Sequence, residues 1–285
     1  MDRIPVEYPD ETRIREIVRW TLKEDLGGGD VTTNWTISAD SHLRAHFLVK
    51  AGGVLAGMAV AHLVFEQVDT NVLFTELSPD GKPVQSGDIV AKVEGPGRAI
   101  LTAERTALNF MQRMSGIASL THCYVEAVSG TTAVILDTRK TAPGIRILDK
   151  WAVRLGGGQN HRSGLYDMVL IKDNHIAACG GITATVERVQ EHNTHNLPVE
   201  VEVKDLQELR EALGLEVDRI MLDNMSLADM RQAVGLTDRK IPLEASGNVN
   251  LETVAEIAAT GVEYISVGKL THSVKALDIS LDLME

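Results

Sequence analysis

The sequence predicts an α/β protein, with a mixed α+β region first and then a parallel sheet carrying helices on its outside. Two observations carry this. From Thr131 onward, short apolar runs alternate with amphipathic segments: AVILD (133–137), MVLIK (168–172), VEVEV (199–203), RIMLD (219–223), IPLEA (241–245) and YISVG (264–268). Repeated β–α units of this kind have strands covered on both faces and form parallel sheets. Before Thr131 the rhythm differs: LRAHFLVK (43–50) alternates as a half-buried strand, and Pro79-Asp80-Gly81 marks a turn between antiparallel candidates. Six strands in series favour a barrel over an open doubly wound sheet, a choice that periodicity alone leaves open.

Taken in order, residues 11–26 read as a helix, with Ile14, Ile17, Val18, Leu22 and Leu26 on one face. Gly27–Gly29 end it, and Asp30–Thr33 (DVTT) starts an extended segment. A helix over Met58–Val68 and strands over 72–77 and 89–95 follow. Thr102–Val128 reads as one long helix, with Thr102 as N-cap and Glu104 suiting the helix dipole. That placement leaves Arg105 in the first turn, where a cation is unfavourable unless an anion is brought to it. Helices over 183–191, 205–213, 226–234 and 250–260 separate the later strands.

Composition excludes several classes of function. The net charge is −12 and aromatic residues make up 4% of the chain, which opposes nucleic acid as a partner. The start, MDRIPVEYPDE, has no apolar signal core, and Ala51–Phe65 is too short and too interrupted to span a bilayer. A cytoplasmic, membrane-free location is therefore expected. Cys123 and Cys179 have no metal-ligating spacing and are expected to be reduced and buried.

Against this acidic background, Asp137–His175 holds seven Lys/Arg and four Asp. A cationic island in an acidic chain usually holds an anion. Arg146, Lys150 and Arg154 recur at four-residue spacing and read as an outer helix face. Arg139, Lys140, His161, Arg162 and Lys172 sit where apolar runs meet loops. Polar residues also gather at the other strand ends: Glu202, Asp223, Ser246-Gly247-Asn248 and Gly268. Glu200 and Glu202 share one face of their strand, where a carboxylate needs a partner. Glu202 with Asp223 suits Mg²⁺, or else an ion pair with a basic residue of a neighbouring strand. Ser246-Gly247-Asn248 before a helix, with Gly268 closing the next strand, suits a phosphate cradle. Gly156–Gly158 fits no nucleotide-loop template and is expected to let backbone approach whatever His161 and Arg162 hold. The residues together ask for a carboxylic acid and a sugar phosphate.

The motifs EDLGGGDVTT, LTAERTALNFMQRMSGIAS, LDTRKTAPGIR, KWAVRLGGGQNHRSGLYDMVLIKDNH, VEVEV, IMLDN, EASGN and SVGKLTHS, in this order, resemble the quinolinate phosphoribosyltransferases nearly end to end. The resemblance implies an N-terminal α/β sandwich over 1–111, completed by 271–285, and an open seven-stranded α/β barrel over 112–270. It implies a homodimer with shared active sites, quinolinate and 5-phosphoribosyl 1-pyrophosphate as substrates, and Mg²⁺. It assigns Arg105 (from across the dimer), Arg139, His161, Arg162 and Lys172 to the quinolinate carboxylates, with Thr138 among the substrate-binding residues. Lys140 would meet the pyrophosphate; Glu202 and Asp223 the ribose hydroxyls and Mg²⁺; Ser246, Gly247 and Gly268 the 5′-phosphate, with Asn248 also among the substrate-binding residues. Ala142, Ile145, Trp151, Ser163 and Lys269 depart from the family pattern. Two other readings are a paralogue associated with molybdenum transport, which the LIKDNH segment disfavours, and a barrel aldolase using Lys172 as a Schiff-base nucleophile. A non-catalytic barrel that only binds a carboxylate has no use for both the carboxylate pair and the phosphate cradle.

Overall fold

A computed structural model describes residues 8–284. In chain order the elements are α1 (Glu11–Leu26), α2 (Val31–Thr36), β1 (His42–Val49), β2 (Gly53–Val54), α3 (Met58–Val68), β3 (Leu73–Glu76), β4 (Pro83–Val84), β5 (Ile89–Pro96) and α4 (Gly97–Ala127). There follow β6 (Val134–Leu136), α5 (Arg146–Leu155), β7 (Val169–Ile171), α6 (Asp173–Cys179), α7 (Ile182–His192), β8 (Val199–Val203), α8 (Leu206–Ala212) and β9 (Arg219–Asp223). The chain closes with α9 (Leu227–Thr237), β10 (Leu243–Ser246), α10 (Val254–Ala258), β11 (Tyr264–Ser266), α11 (Lys269–His272) and β12 (Ile279–Leu283). The chain divides into two compact units: one runs up to His122 and adds Thr141–Gly157 and Leu270 onward, and the other comprises Cys123–Lys140 and Gly158–Lys269.

In the first unit an antiparallel sheet of order β12-β1-β5-β3 brings the C-terminal strand against β1. Alternation in β1 buries Ala45, Phe47 and Val49. Phe47 meets Phe65 of α3 edge-on at 6.0 Å, and Phe74 lies 5.9 Å from Phe47, so the aromatics join helix to sheet. Helix α1 buries Ile14, Ile17, Val18 and Leu22, as its spacing predicts, and Asp10 caps it by accepting from Thr12 N–H at 2.9 Å. The buried Asp149 of α5 receives two parallel bonds from Arg113 of α4, at 2.8 and 2.7 Å, and also accepts from Ala142 N–H.

Several expectations in this unit are corrected. DVTT is not extended: Asp30 caps α2 by accepting from Thr33 N–H at 2.9 Å, and that cap outweighs the strand preference of β-branched residues. Helix α4 begins at Gly97 rather than Thr102, whose hydroxyl instead bonds Asp30. Arg105 therefore lies in the helix interior and is exposed. The first-turn cation is Arg98, which donates to the carbonyls of Asn34 and Ile37. The stripe Arg146, Lys150 and Arg154 is not an outer face, since Lys150 is only 4% exposed. A Cβ at Gly156 would meet the backbone of Ala118 and the side chain of Thr121, so this glycine admits a helix and not a ligand. Cys123 and Cys179 are free thiols but exposed.

The second unit is a six-stranded parallel sheet of order β6-β11-β10-β9-β8-β7. Neighbours in space are neighbours in sequence from β7 to β11, with β6 joining beside β11, so the order winds one way, as in a barrel, and never reverses. Where the family resemblance implies seven strands, Gln159 makes a single parallel bridge to Leu136 on the β6 edge. Two helices are shorter than their periodicity suggests, notably α10, which starts at Val254. Among the described residues no helix is long and apolar enough to cross a membrane.

Candidate active site

The carboxyl ends of the parallel strands bring the polar residues of the second unit together. Lys172 directly follows β7, Glu202 is the fourth residue of β8, Asp223 ends β9 and Ser246 ends β10. Pairing in register sets Glu202 beside Met221 and Ser246 beside Asp223, so these side chains emerge at successive positions along one rim. Lys172 Nζ lies 2.7 Å from Glu202 Oε2. Of the two arrangements the sequence allows for Glu202, this is the cross-strand ion pair. Glu202 and Asp223 are also hard oxygen donors on adjacent strands, a set that fits Mg²⁺.

The loops after β9 and β10 are tied to each other. Asn224 N–H donates to the Ser246 carbonyl at 2.9 Å, and Asn248 Nδ2 donates to Asn224 Oδ1 at 2.9 Å. Gly247 has φ +93°, and a Cβ there would strike the Asn224 side chain. Asn224 and Asn248 both have φ +52°, which asparagine tolerates. Helix α10 begins six residues beyond Asn248, so a phosphate cradle here has loop N–H groups and not the expected helix N-terminus. Gly268 is half-buried after β11 and Lys269 beside it is exposed.

Beneath this rim the barrel interior is charged. His161 Nε2 lies 3.0 Å from Glu200 Oε2 and 3.4 Å from Glu244 Oε2, and both carboxylates are 0% exposed. Arg219 Nη1 is 3.0 Å from Glu244 Oε2, and its guanidinium stacks 3.9 Å from the Tyr264 ring centre. The ligand atoms of His161, Glu200 and Glu244 fall within 4.8 Å of one another, close enough to receive a metal ion. Arg219 already neutralises Glu244, so a proton, rather than a divalent cation, balances the trio. Burial pushes the His161 imidazolium down, but Glu200 and Glu244 outweigh it and raise the ring to about 9. Burial likewise raises the Glu200 carboxyl, whereas for Glu244 burial is overcome by His161 and Arg219, and its carboxyl is held low. These directions describe one proton bound by the group as a whole. His161 Nδ1 accepts the Arg162 N–H at 2.7 Å, which requires Nδ1 to be unprotonated. The ring therefore turns its Nε2 proton toward the two carboxylates, and the remaining proton is shared within the trio.

Asp137, buried just after β6, accepts from His161 N–H at 2.9 Å and from Asn160 Nδ2 at 2.6 Å, which fixes the segment that carries Arg162. Arg162 Nη1 donates to the Met168 carbonyl at 3.3 Å. Burial and the neighbouring Arg139 guanidinium both depress the Arg162 pKa. Arg139 Nε is buried without a hydrogen-bond partner among the described residues. Two guanidiniums that repel each other, one with an unused buried donor, are an arrangement that suits an anion. Thr138 Oγ1 accepts from Lys140 N–H at 3.1 Å, and the Lys140 side chain is exposed at the same strand end. Arg105 belongs to the other unit, exposed on α4.

Residues 30–115 match the family model for the N-terminal domain of quinolinate phosphoribosyl transferase, and residues 117–282 match the model for its C-terminal domain. The chain belongs to the quinolinate phosphoribosyltransferase family. It is 48% identical to a chloroplastic nicotinate-nucleotide pyrophosphorylase (carboxylating) of Arabidopsis thaliana, covering 95% of this chain and 82% of that one. It is 42% identical to a probable nicotinate-nucleotide pyrophosphorylase (carboxylating) of Bacillus subtilis, covering 95% and 93%. The solved nicotinate-nucleotide pyrophosphorylase of Francisella tularensis superposes with a TM-score of 0.93 at 40% identity, over 98% of this chain and 99% of that one.

In this phosphoribosyltransferase three residues of the site region escaped the sequence reading: Arg219, Glu244 and Asn224. Glu244 carried a signal of the same kind as Glu200, a glutamate inside an apolar strand. Arg219 and Asn224 carried none, because a residue at a strand end is ordinarily polar.

Proposed function

We propose that this chain transfers the phosphoribosyl group of 5-phosphoribosyl 1-pyrophosphate to quinolinate with decarboxylation, giving nicotinate mononucleotide, CO₂ and pyrophosphate. The family match and the names of the relatives support the reaction. The observation that carries the acceptor's chemistry is the Arg139–Arg162 pair with its unused buried Nε; together with Lys172 at the carboxyl end of β7, these cations suit a dicarboxylate.

In this reading Arg139, Arg162 and Lys172 grip the two carboxylates, with Arg105 supplied across a homodimer, and His161 stands behind Arg162. Fixing both carboxylates aims the pyridine nitrogen at C1 of the ribose, which converts an encounter into a near-attack geometry. Ser246, Gly247, Asn248 and Gly268 hold the 5′-phosphate, and Thr138 helps place Lys140 toward the pyrophosphate. Glu202 and Asp223 orient the ribose hydroxyls and would hold Mg²⁺, which when bound supplies charge neutralisation for the departing pyrophosphate. Lys140 adds a fixed cation where that charge develops. Ribosylation makes the pyridine nitrogen cationic, which stabilises the electron pair left on C2 when its carboxylate departs as CO₂, and a proton taken up from water at C2 completes nicotinate mononucleotide. The proposed setting is cytoplasmic. The aldolase reading has no support in the geometry, because Lys172 is spent in an ion pair at 2.7 Å where a Schiff-base lysine needs its lone pair.

Quinolinate labelled in the C2 carboxylate tests the reaction. Labelled CO₂ should appear only when 5-phosphoribosyl 1-pyrophosphate and Mg²⁺ are both present, and label in the C3 carboxylate should stay in the nucleotide. Release of label without the phosphoribosyl donor would contradict the order of steps.

A further inference from the structure

We infer that His161 is a positioning residue for the acceptor site and not itself a contact to the acceptor's carboxylates. The inference deepens the proposed function and rests on it for the identity of the acceptor. Both ring nitrogens are committed inside the protein. Nε2 faces Glu200 and Glu244 at 3.0 and 3.4 Å, and Nδ1 accepts the Arg162 N–H at 2.7 Å. The side chain is 5% exposed. An imidazole in this state has no donor to offer an anion.

The ring instead transmits position. Glu200 and Glu244 sit in β8 and β10, both inside the sheet and fully buried, so the far end of the ring is held by two strands that cannot shift independently. Its near end then presents Nδ1 at a fixed point, and the Arg162 peptide must meet it there. Asp137 fixes the same segment from the other side through the His161 N–H and Asn160. The Arg162 Cα is thereby set, and its guanidinium is braced on the Met168 carbonyl beside Arg139. A guanidinium held against a like charge has to be placed by other bonds, and these are the bonds that place it.

Two half-isosteres separate the roles of the ring. Asparagine at 161 keeps an acceptor in the place of Nδ1, glutamine keeps an N–H in the place of Nε2, and alanine keeps neither. His161→Ala should raise the quinolinate KM about tenfold or more, the scale of a lost bond that orders a charged group, while the phosphoribosyl donor's KM moves less than about twofold. His161→Asn should recover most of that loss and His161→Gln should not. Nitrogen-15 spectra of the wild-type protein with labelled histidine should show an unprotonated Nδ1 and a protonated Nε2, both unmoved by saturating quinolinate. This second readout needs no variant to fold. A His161 ring resonance that shifts on quinolinate binding, or an asparagine variant as impaired as alanine, would overturn the inference. Failure of the wild-type protein to form the nucleotide would instead count against the reaction, since the spectra report the ring with or without turnover.

Discussion

Lys172 Nζ and Glu202 Oε2 stand 2.7 Å apart at the carboxyl ends of two adjacent strands, and the pair joins the two halves of the site. Lys172 is the cation proposed for an acceptor carboxylate, and Glu202 is the carboxylate proposed for the ribose and Mg²⁺. Each substrate therefore takes one member and releases the other. Binding of either should ease binding of its partner, a linkage that needs no large motion.

That linkage gives a first prediction. Glu202→Gln removes the competitor for Lys172, so the quinolinate Kd should fall or hold while turnover drops. Lys172→Ala should lower kcat/KM for quinolinate by about 10²–10³, the scale of losing one preorganised charge contact. Isothermal titration and steady-state kinetics read the two effects separately, and parallel losses in both variants would argue against a shared pair.

A second prediction concerns the loop that joins Ser246 to Asn248. Gly247→Ala must place a Cβ at φ +93° against Asn224, at a cost of at least about 1 kcal/mol. Its effect should fall on the KM for 5-phosphoribosyl 1-pyrophosphate and leave the quinolinate Kd nearly unchanged. Circular dichroism would verify that the variant is folded.

The Arg113–Asp149 bidentate pair predicts a change in stability. Asp149 has a side chain 1% exposed, so Arg113→Ala leaves a buried carboxylate without its cation and should destabilise the chain by about 3–5 kcal/mol. Urea unfolding measures this directly. A loss under about 1 kcal/mol would mean that Ala142 N–H and solvent suffice for Asp149.

Asp80 predicts a pH dependence of unusual sign. Its side chain accepts from Met58 N–H at 3.0 Å at the start of α3, and burial raises it to about 6 despite that bond. A carboxyl raised in the folded state binds its proton more tightly there than in the unfolded chain. Its contribution is thus fully present below about pH 4 and is lost as pH rises through about 6, a difference of about 3 kcal/mol. Asp80→Asn keeps an acceptor for Met58 and removes the charge. The variant should gain stability over the parent as pH rises from 4 to 7, and parallel stability curves would exclude the effect.

Much of the architecture was legible in residue pattern. The six strand runs and the span of α3 followed from apolar periodicity, which burial enforces directly. What was missed depended on single bonds. Asp30 caps a helix that β-branched threonines hide, and Arg98, by tying α4 to the end of α2, moved the start of the long helix away from Thr102. Lys150 looked solvated because a basic residue every fourth position is usually a wet stripe. Within the site, Glu200 announced itself as a carboxylate in an apolar strand, but its bonding to His161 joins residues 39 apart and no local signal encodes that.

The most direct test of the central claim is product analysis with purified protein, 5-phosphoribosyl 1-pyrophosphate and Mg²⁺, offering quinolinate in one reaction and nicotinate in the other. Quinolinate should give nicotinate mononucleotide, CO₂ and pyrophosphate in equal amounts, and nicotinate, with one carboxylate for three cations, should give none. Nucleotide formed equally well from nicotinate, or no nucleotide from folded protein with quinolinate, would contradict it.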